Sequence, residues 1–130
     1  MDNPTVPISW GELFDKISIL EIKLEKISAV ASRKNVKTEY DNLYSILNAS
    51  PVSHLDGHLK YLTELKIVNM ALWEIEDEIR IKESQQLFDD EFVQLARSVY
   101  LTNDERSRLK RKINQELGSE LFEEKSYAAY

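Results

Sequence analysis

The spacing of apolar residues along the chain predicts a series of α-helices, one of them long. Between Leu59 and Glu83 the apolar positions recur every three or four residues, which places them on one stripe of a helix. These positions are Leu62, Leu65, Val68, Leu72, Ile75 and Ile79. No Gly or Pro interrupts the stretch. We therefore predict a central helix over about residues 53–84, onto which shorter helices pack.

The first helix is predicted to begin at Ser9. Ser9 lies three residues before Glu12, the spacing at which the two side chains cap a first helical turn. The apolar stripe that follows consists of Leu13, Ile17, Leu20, Leu24, Ile27 and Ala31. Phe14, Ile19 and Ile22 fall outside this stripe. Helix 1 is therefore expected to bury a second face, either within the bundle or against a second subunit.

Interruptions of the pattern divide the rest of the chain into further helices. The periodicity lapses around Ala31–Asn35, and a shorter helix is expected from about Val36 to Asn48, before Pro51. After the central helix, Asp89 or Asp90 is placed to cap a fourth helix.

The last part of the chain repeats the capping signal. Thr102 and Glu105 have the capping-box spacing, so a fifth helix is predicted to start at Thr102, and Gly118 is placed for a left-handed C-terminal cap. We expect residues 1–8 to form an extended lead-in and residues 119–130 to form a packed tail. The predicted architecture is an all-α single domain spanning residues 1–130, with about five helices.

The composition agrees with this architecture and narrows the function. A chain of 130 residues with 42% hydrophobic residues can bury one core, and only three Gly and three Pro disfavour an all-β fold. The absence of Cys suits a reducing compartment. No leader-like or membrane-spanning segment is evident, so we expect a cytoplasmic protein that binds no membrane. The net charge of −6 disfavours binding to nucleic acid.

Polar residues border the apolar stripes of two helices. Along the central helix they are Asn69, Glu76, Asp77, Arg80 and Glu83, and along helix 1 they are Lys16 and Lys23. One interpretation pairs the two lysines with Glu76 and Glu83 at the rim of the core. The other brings these groups together around a polar cavity. Helical geometry alone leaves both open.

The predicted fifth helix carries a dense group of cations. Five of the seven residues from Arg106 to Lys112 are Arg or Lys. Arg106 falls on the apolar stripe, and Lys110 borders it together with Asn103 and Asn114. A guanidinium that faces inward must find an anion. That anion is either an internal carboxylate, such as Glu76, Asp77 or Glu123, or the phosphate or carboxylate of a ligand.

These observations define a set of candidate ligand-binding residues. The set is Asn103, Arg106, Lys110, Asn114, Glu76, Asp77, Arg80, Lys16 and Lys23. We predict no metal site and no cofactor, and no catalytic residue can be assigned from the sequence.

Three weaker signatures carry less weight. Glu74 and Asp77, with Glu21 and Glu25 on another helix, have an acidic pattern found in Mg²⁺-dependent nucleotide pyrophosphohydrolases, but the companion motif is missing. His54 and His58 have the spacing of a metal pair without a third ligand.

The third weak signature is a helix–turn–helix. Residues 92–113 can be divided into two helices with a basic second one, yet they lack the small turn residue common in that motif.

Three segments of the chain resemble a family of small bacterial domains of unknown function. They are ISWGELFDKISILEIKLEKI, LWEIEDEIRIKE and ARSVYLTNDERSRLKRKINQELGSELFEEKSY. The family's polar positions correspond here to Trp10, Glu12, Asp15, Lys16, Glu21, Lys23, Trp73, Glu76, Asp77, Arg80, Thr102, Asn103, Asp104, Arg106, Lys110, Arg111, Asn114, Glu123, Glu124, Lys125, Ser126 and Tyr127. The resemblance implies that these groups form one assembled network. It implies no activity, and at most an accessory role in the synthesis of cell-surface polysaccharides.

Two functional hypotheses follow from the sequence. The first is a non-enzymatic helical interaction module that forms a homo-oligomer, a dimer, through helix 1 and the aromatic C-terminal tail. It requires a polar network closed by its own counter-charges. The second is a protein or enzyme that binds a small phosphorylated or carboxylated metabolite through Arg106 and Lys110. It requires a cleft that contains a cation not paired with a carboxylate of the protein.

Overall fold

The computed structural model describes residues 1–130 and is all-α. It contains four α-helices, α1 (Trp10–Lys26), α2 (Val30–Ala49), α3 (Leu59–Ser84) and α4 (Asp90–Glu116), with a 3₁₀ turn at Pro51–His54 and no strand. The predicted fold class is confirmed, whereas the number of α-helices is four instead of five. None of the helices is long and apolar enough to cross a membrane.

Local capping signals set several of the helix ends. The Ser9 side chain accepts a hydrogen bond from the Glu12 backbone N–H at 3.1 Å, and the Asp89 side chain accepts one from the Phe92 N–H at 2.9 Å. Gly118 adopts φ +65°, and the next N–H donates to the Asn114 carbonyl at 2.8 Å. All three predicted caps are confirmed.

The predicted start of a fifth helix at Thr102 is wrong, because α4 runs through it without a break. No Gly or Pro lies between Asp90 and Glu116, so nothing interrupts the backbone hydrogen bonds there. A Thr-x-x-Glu spacing caps a helix only where the preceding chain leaves the first N–H groups unpaired. The helix–turn–helix interpretation is wrong for the same reason.

The boundary between α1 and α2 also differs from the prediction. The helices part at residues 27–29, not at Ala31–Asn35, which belongs to α2. The guanidinium of Arg33 donates to the carbonyls of Leu24 and Ile27, and these bonds satisfy the exposed end of α1. Residues 31–35 are therefore a solvent-exposed part of α2 and do not interrupt the helix.

The central helix begins at Leu59 and not near residue 53. Pro51–His54 forms the 3₁₀ turn, and Gly57 adopts φ +75°, which redirects the chain before α3 starts. From there α3 is continuous for 26 residues, as predicted for the central rod.

All four helices and the 3₁₀ turn contribute to one hydrophobic core. Its members are Leu13, Phe14, Ile17, Leu47, Val52, Tyr61, Leu62, Leu65, Leu109 and Ile113. Phe14 meets Tyr61 edge to face at 5.5 Å between ring centroids. Of the three residues that the sequence left available for a second subunit, Phe14 and Ile22 are buried inside the chain and Ile19 is partly buried. Most of the second apolar face of α1 is therefore covered within the chain.

Burial is concentrated at one end of the molecule. α3 and α4 form a hairpin, and α1 packs against both, while α2 packs on α1 and the 3₁₀ turn. No residue from Met70 to Arg108 is buried, although this stretch contains the end of α3 and more than half of α4. We call residues 70–108 the hairpin arm.

A core truncation tests the packing at the covered end. Leu65→Ala removes a fully buried side chain, and we expect it to lower the free energy of unfolding by about 2–5 kcal/mol. Ile67→Ala, on the exposed side of the same helix, should change it by less than about 0.5 kcal/mol. Urea denaturation measures both. Equal losses for the two variants would contradict the packing described.

Two tyrosines with raised pKa values predict that the folded protein loses stability at alkaline pH. Burial, with the charge of Glu21, raises the pKa of Tyr40 to about 12. The hydrogen bond to Glu116, with burial, raises the pKa of Tyr61 to about 12. A raised folded-state pKa contributes stability below the ordinary tyrosine pKa of about 10, and that contribution is lost as the pH rises to 12. The free energy of unfolding should fall over this window, and less steeply in Tyr61→Phe. A pH-independent free energy above pH 10 would contradict this.

Candidate functional site

A buried carboxylate links three of the four helices. Asp15 of α1 is 1% exposed and receives two hydrogen bonds from Arg106 of α4, one of them from Nε to Oδ1 at 2.9 Å. Asn69 of α3 donates through Nδ2 to Asp15 Oδ1 at 2.8 Å and to Ser18 Oγ at 2.9 Å. The Ser18 hydroxyl donates to the Asp15 carbonyl at 2.7 Å. We call these four residues the Asp15 network.

The Asp15 network is closed, since each of its buried polar atoms has a partner. No buried side-chain nitrogen or oxygen in the molecule lacks a hydrogen bond. The hydrogen bonds to Asp15 raise the pKa of Arg106, and burial opposes this only in part. A bidentate pair between a guanidinium and a carboxylate is the geometry that best offsets the cost of burying both charges. The pair therefore holds α1 and α4 together.

Lys110, one helical turn after Arg106, lies at the edge of the Asp15 network. Its side chain is 12% exposed, and its Nζ lies 2.8 Å from Glu12 Oε2, 3.0 Å from Glu123 Oε2 and 4.0 Å from Asp15 Oδ2. Burial lowers the pKa of Lys110, but hydrogen bonds to Glu12 and Glu123 outweigh it and the net pKa is raised. The hydrogen bond from Lys110 lowers the pKa of Glu123. The positive charge of Lys110 thus lies close to three carboxylates.

A close backbone contact fixes the start of α1 on the end of α4. The Gly11 N–H donates to Asn114 Oδ1 at 2.7 Å, and the Trp10 N–H donates to Ser119 Oγ at 3.0 Å. A Cβ at position 11 would clash with the backbone carbonyl of Lys110. Glycine is therefore required at this position by the separation of the two helices, and α1 is held where Asp15 can reach Arg106.

Four of the candidate residues line a shallow cleft beside the Asp15 network. Asn103, Glu76 and Asp77 meet Arg106 around a cavity of about 380 Å³, together with Trp73. Arg106, Lys110 and Asn114 belong to the buried contacts described above. The structure thus brings six of the nine candidates to one side of the α1–α4 contact.

The other three candidates lie elsewhere and make only surface contacts. Arg80 is exposed and pairs with Glu76 at 3.4 Å, and Lys16 pairs with Glu12 at 3.6 Å. Lys23 takes part in no ion pair. The interpretation in which Lys16 and Lys23 bridge to Glu76 and Glu83 is therefore wrong.

The sequence did not identify the partner of Arg106. The partner is Asp15, and not Glu76, Asp77 or Glu123 as expected. A signal for it was present, because Phe14, Ser18 and Ile22 follow one another at four-residue intervals and define a second inward face of α1. Asp15 lies beside that face, where an ionised residue is unusual.

The weaker signatures do not form sites. No group of three or more His, Cys, Asp or Glu side chains could hold a metal ion. Glu74 and Asp77 are exposed to solvent on α3. His54 ends the 3₁₀ turn, and the His58 ring lies 3.0 Å from the Leu55 carbonyl through Nδ1.

Comparison with known proteins identifies the family without a function. The model of a family described as of unknown function (DUF6165) matches residues 4–130, so the chain belongs to that family. The resemblance to a domain family of unknown function is thereby confirmed. No curated protein and no solved structure matches the chain.

Removing Arg106 tests whether the Asp15 network is structural. Arg106→Ala leaves the Asp15 carboxylate buried without its cation, and we expect a loss of about 3–5 kcal/mol in the free energy of unfolding. Arg108→Ala, which removes an exposed arginine two residues away, should cost at most about 1 kcal/mol. Chemical denaturation followed by circular dichroism measures both. Unchanged stability of Arg106→Ala would show that Asp15 and Arg106 are free for another role.

Proposed function

We propose that this member of the DUF6165 family is a non-enzymatic helical interaction module that forms a homodimer through its hairpin arm. The observation that carries the proposal is the lack of any buried residue between Met70 and Arg108. A hairpin of two helices gains most of its stability from packing an apolar face against further helices. The arm has such a face, and the chain covers it only near the core, where Asp15 contacts Arg106 and Tyr130 of the C-terminal tail contacts Tyr100 and Asp104.

The arm displays apolar side chains on α3 (Ile81), on α4 and at its tip. Leu87, Phe88, Val93, Tyr100 and Leu101 are exposed, and Phe88 packs edge to face on Phe92 at 5.2 Å between ring centroids. Single exposed apolar residues are ordinary on a protein surface, but several of them on one protruding element favour an interaction surface.

A second copy of the chain is the partner that the arm fits best. Two hairpins that pack face to face make a four-helix bundle, a closed arrangement with two-fold symmetry. Each helix of the arm also carries exposed charges of both signs, such as Glu74 and Arg80 on α3 and Glu91 and Arg97 on α4. A two-fold axis can bring such groups of one copy to those of the other.

The closed Asp15 network supports the non-enzymatic part of the proposal. An active site needs groups whose charge or hydrogen-bonding capacity is available to a substrate. Here Arg106 is matched by Asp15, and Lys110 is matched by Glu12 and Glu123. Arg106 is thus occupied in holding α1 on α4, and Lys110 is held against α1 by Glu12.

The setting of the module is part of the same proposal. The chain has no Cys, which suits a reducing compartment, and we place the module in the cytoplasm on that basis. An accessory role beside the enzymes of cell-surface polysaccharide synthesis, implied by the family resemblance, is compatible with a dimeric scaffold.

Dimerisation through the arm is tested by replacing a valine with glutamate in the arm and, as a control, at a position outside it. Val93→Glu introduces a charge on the arm, where Val93 is 48% exposed. Sedimentation velocity of the wild type should show a species of twice the 15.2 kDa chain mass. The variant should weaken the dimer by roughly tenfold or more in Kd, because a charge buried at an interface is left unpaired.

Val30→Glu is the matched control. Val30 is 84% exposed at the start of α2, far from the arm in sequence, and a carboxylate is favourable in the first turn of a helix. This variant should dimerise as the wild type does. A wild type that is monomeric at all concentrations, or equal dissociation of the two variants, rules out a homodimer formed by the arm.

A further inference from the structure

A polar cleft lies where the end of α4 meets the C-terminal tail (residues 119–130), at the opposite end of α4 from the tip of the arm. It consists of two adjoining cavities of about 230 and 280 Å³ that share Ser107, Lys110, Glu123 and Lys125. No hydrophobic residue lines either cavity. A ligand that fits this cleft must be small and polar, since the cleft offers no apolar surface to bury.

The cleft is built around cations that α4 holds in place. The stem of Lys110 is buried, so its ammonium group has a fixed position, and its raised pKa keeps it charged at neutral pH. Arg111 is the next residue on α4, and Lys125 approaches from the tail. The hydroxyls of Ser9 and Ser107 line the same space.

The anions that balance these cations come largely from the tail. Glu123 contacts Lys110 at 3.0 Å, and Glu124 contacts Arg111 at 3.2 Å, while Phe122 lies 5.5 Å from the Arg111 guanidinium. The tail has no regular secondary structure, and residues 120–130 are all exposed. Both carboxylates are themselves more than half exposed, and ion pairs made by exposed groups contribute little free energy, so these two carboxylates can be displaced.

We propose that this cleft binds a phosphate-bearing small molecule through Lys110, Arg111 and Lys125, and that Glu123 and Glu124 compete with it. A phosphate carries up to two charges and three strong acceptors, whereas each glutamate offers one charge. It can therefore replace both carboxylates at once. Glu12, which also contacts Lys110, belongs to α1 and stays in place. Its negative charge therefore limits how much negative charge a bound ligand can carry.

The inference is independent of the proposed dimer. Lys110, Arg111 and Lys125 lie outside the arm, only its last residues (106–108) line the cleft, and a monomeric protein could bind the same anion. Failure of the dimer and failure of the anion site therefore give separate results.

Binding of inorganic pyrophosphate to the full chain tests the proposal. Isothermal titration at constant ionic strength should show saturable binding by the wild type. Glu123→Gln/Glu124→Gln should bind roughly tenfold tighter, because both competing charges are gone. Arg111→Gln should bind roughly tenfold more weakly, because it removes a cation that touches the ligand.

Arg97→Gln is the matched control for Arg111→Gln. Arg97 is an exposed arginine on the same helix and lies outside the cleft, so this variant removes an equal charge and should bind as the wild type does. Equal weakening by Arg97→Gln and Arg111→Gln would mean diffuse attraction and overturn the site. The absence of binding in both the wild type and Glu123→Gln/Glu124→Gln would also overturn the site. Equal affinity of these two proteins would overturn the proposed competition by the glutamates.

Discussion

The ion pair between Asp15 and Arg106 is the interaction on which the rest of this structure depends. An ionised carboxylate in a helix bundle is tolerated only when its counter-charge arrives in one particular position. That requirement fixes the placement of α1 against α4, and Asn69 adds α3 to the same point. Apolar packing alone would allow the helices to slide and rotate more freely. The Asp15 network thus selects one arrangement of three helices.

The same arrangement explains why the two ends of the molecule differ so strongly. Gly11 and Asn114 bring the start of α1 onto the end of α4, and α1 is only 17 residues long. α3 and α4 are 26 and 27 residues long, so they extend beyond the helix that covers them. The uncovered part is the hairpin arm. A short helix clamped at one end of two long ones therefore produces both the core and the free surface.

The sequence predicted those features that depend on nearby residues. Ser9, Asp89 and Gly118 were identified because a cap is formed by residues three to five positions apart. Thr102 has the same local pattern, but α4 continues through it. Whether Thr102 begins a helix depends on whether the residues before it are already helical.

The features that the sequence missed depend on distant residues. The end of α1 is held by Arg33, nine residues beyond Leu24, and Asp15 lies 91 residues from Arg106. A helical wheel indicates that a side chain faces inward, but not which helix lies opposite. It could therefore show that Arg106 needs an anion without identifying Asp15.

A double-mutant cycle on Asp15 and Arg106 measures how strongly the fold depends on this ion pair. The free energy of unfolding is measured for the wild type, Asp15→Ala, Arg106→Ala and the double variant. We expect a coupling of roughly 2 kcal/mol or more, with the double variant no less stable than the worse single variant, because no buried charge is left unpaired. Additive losses, with a coupling near zero, would contradict this expectation.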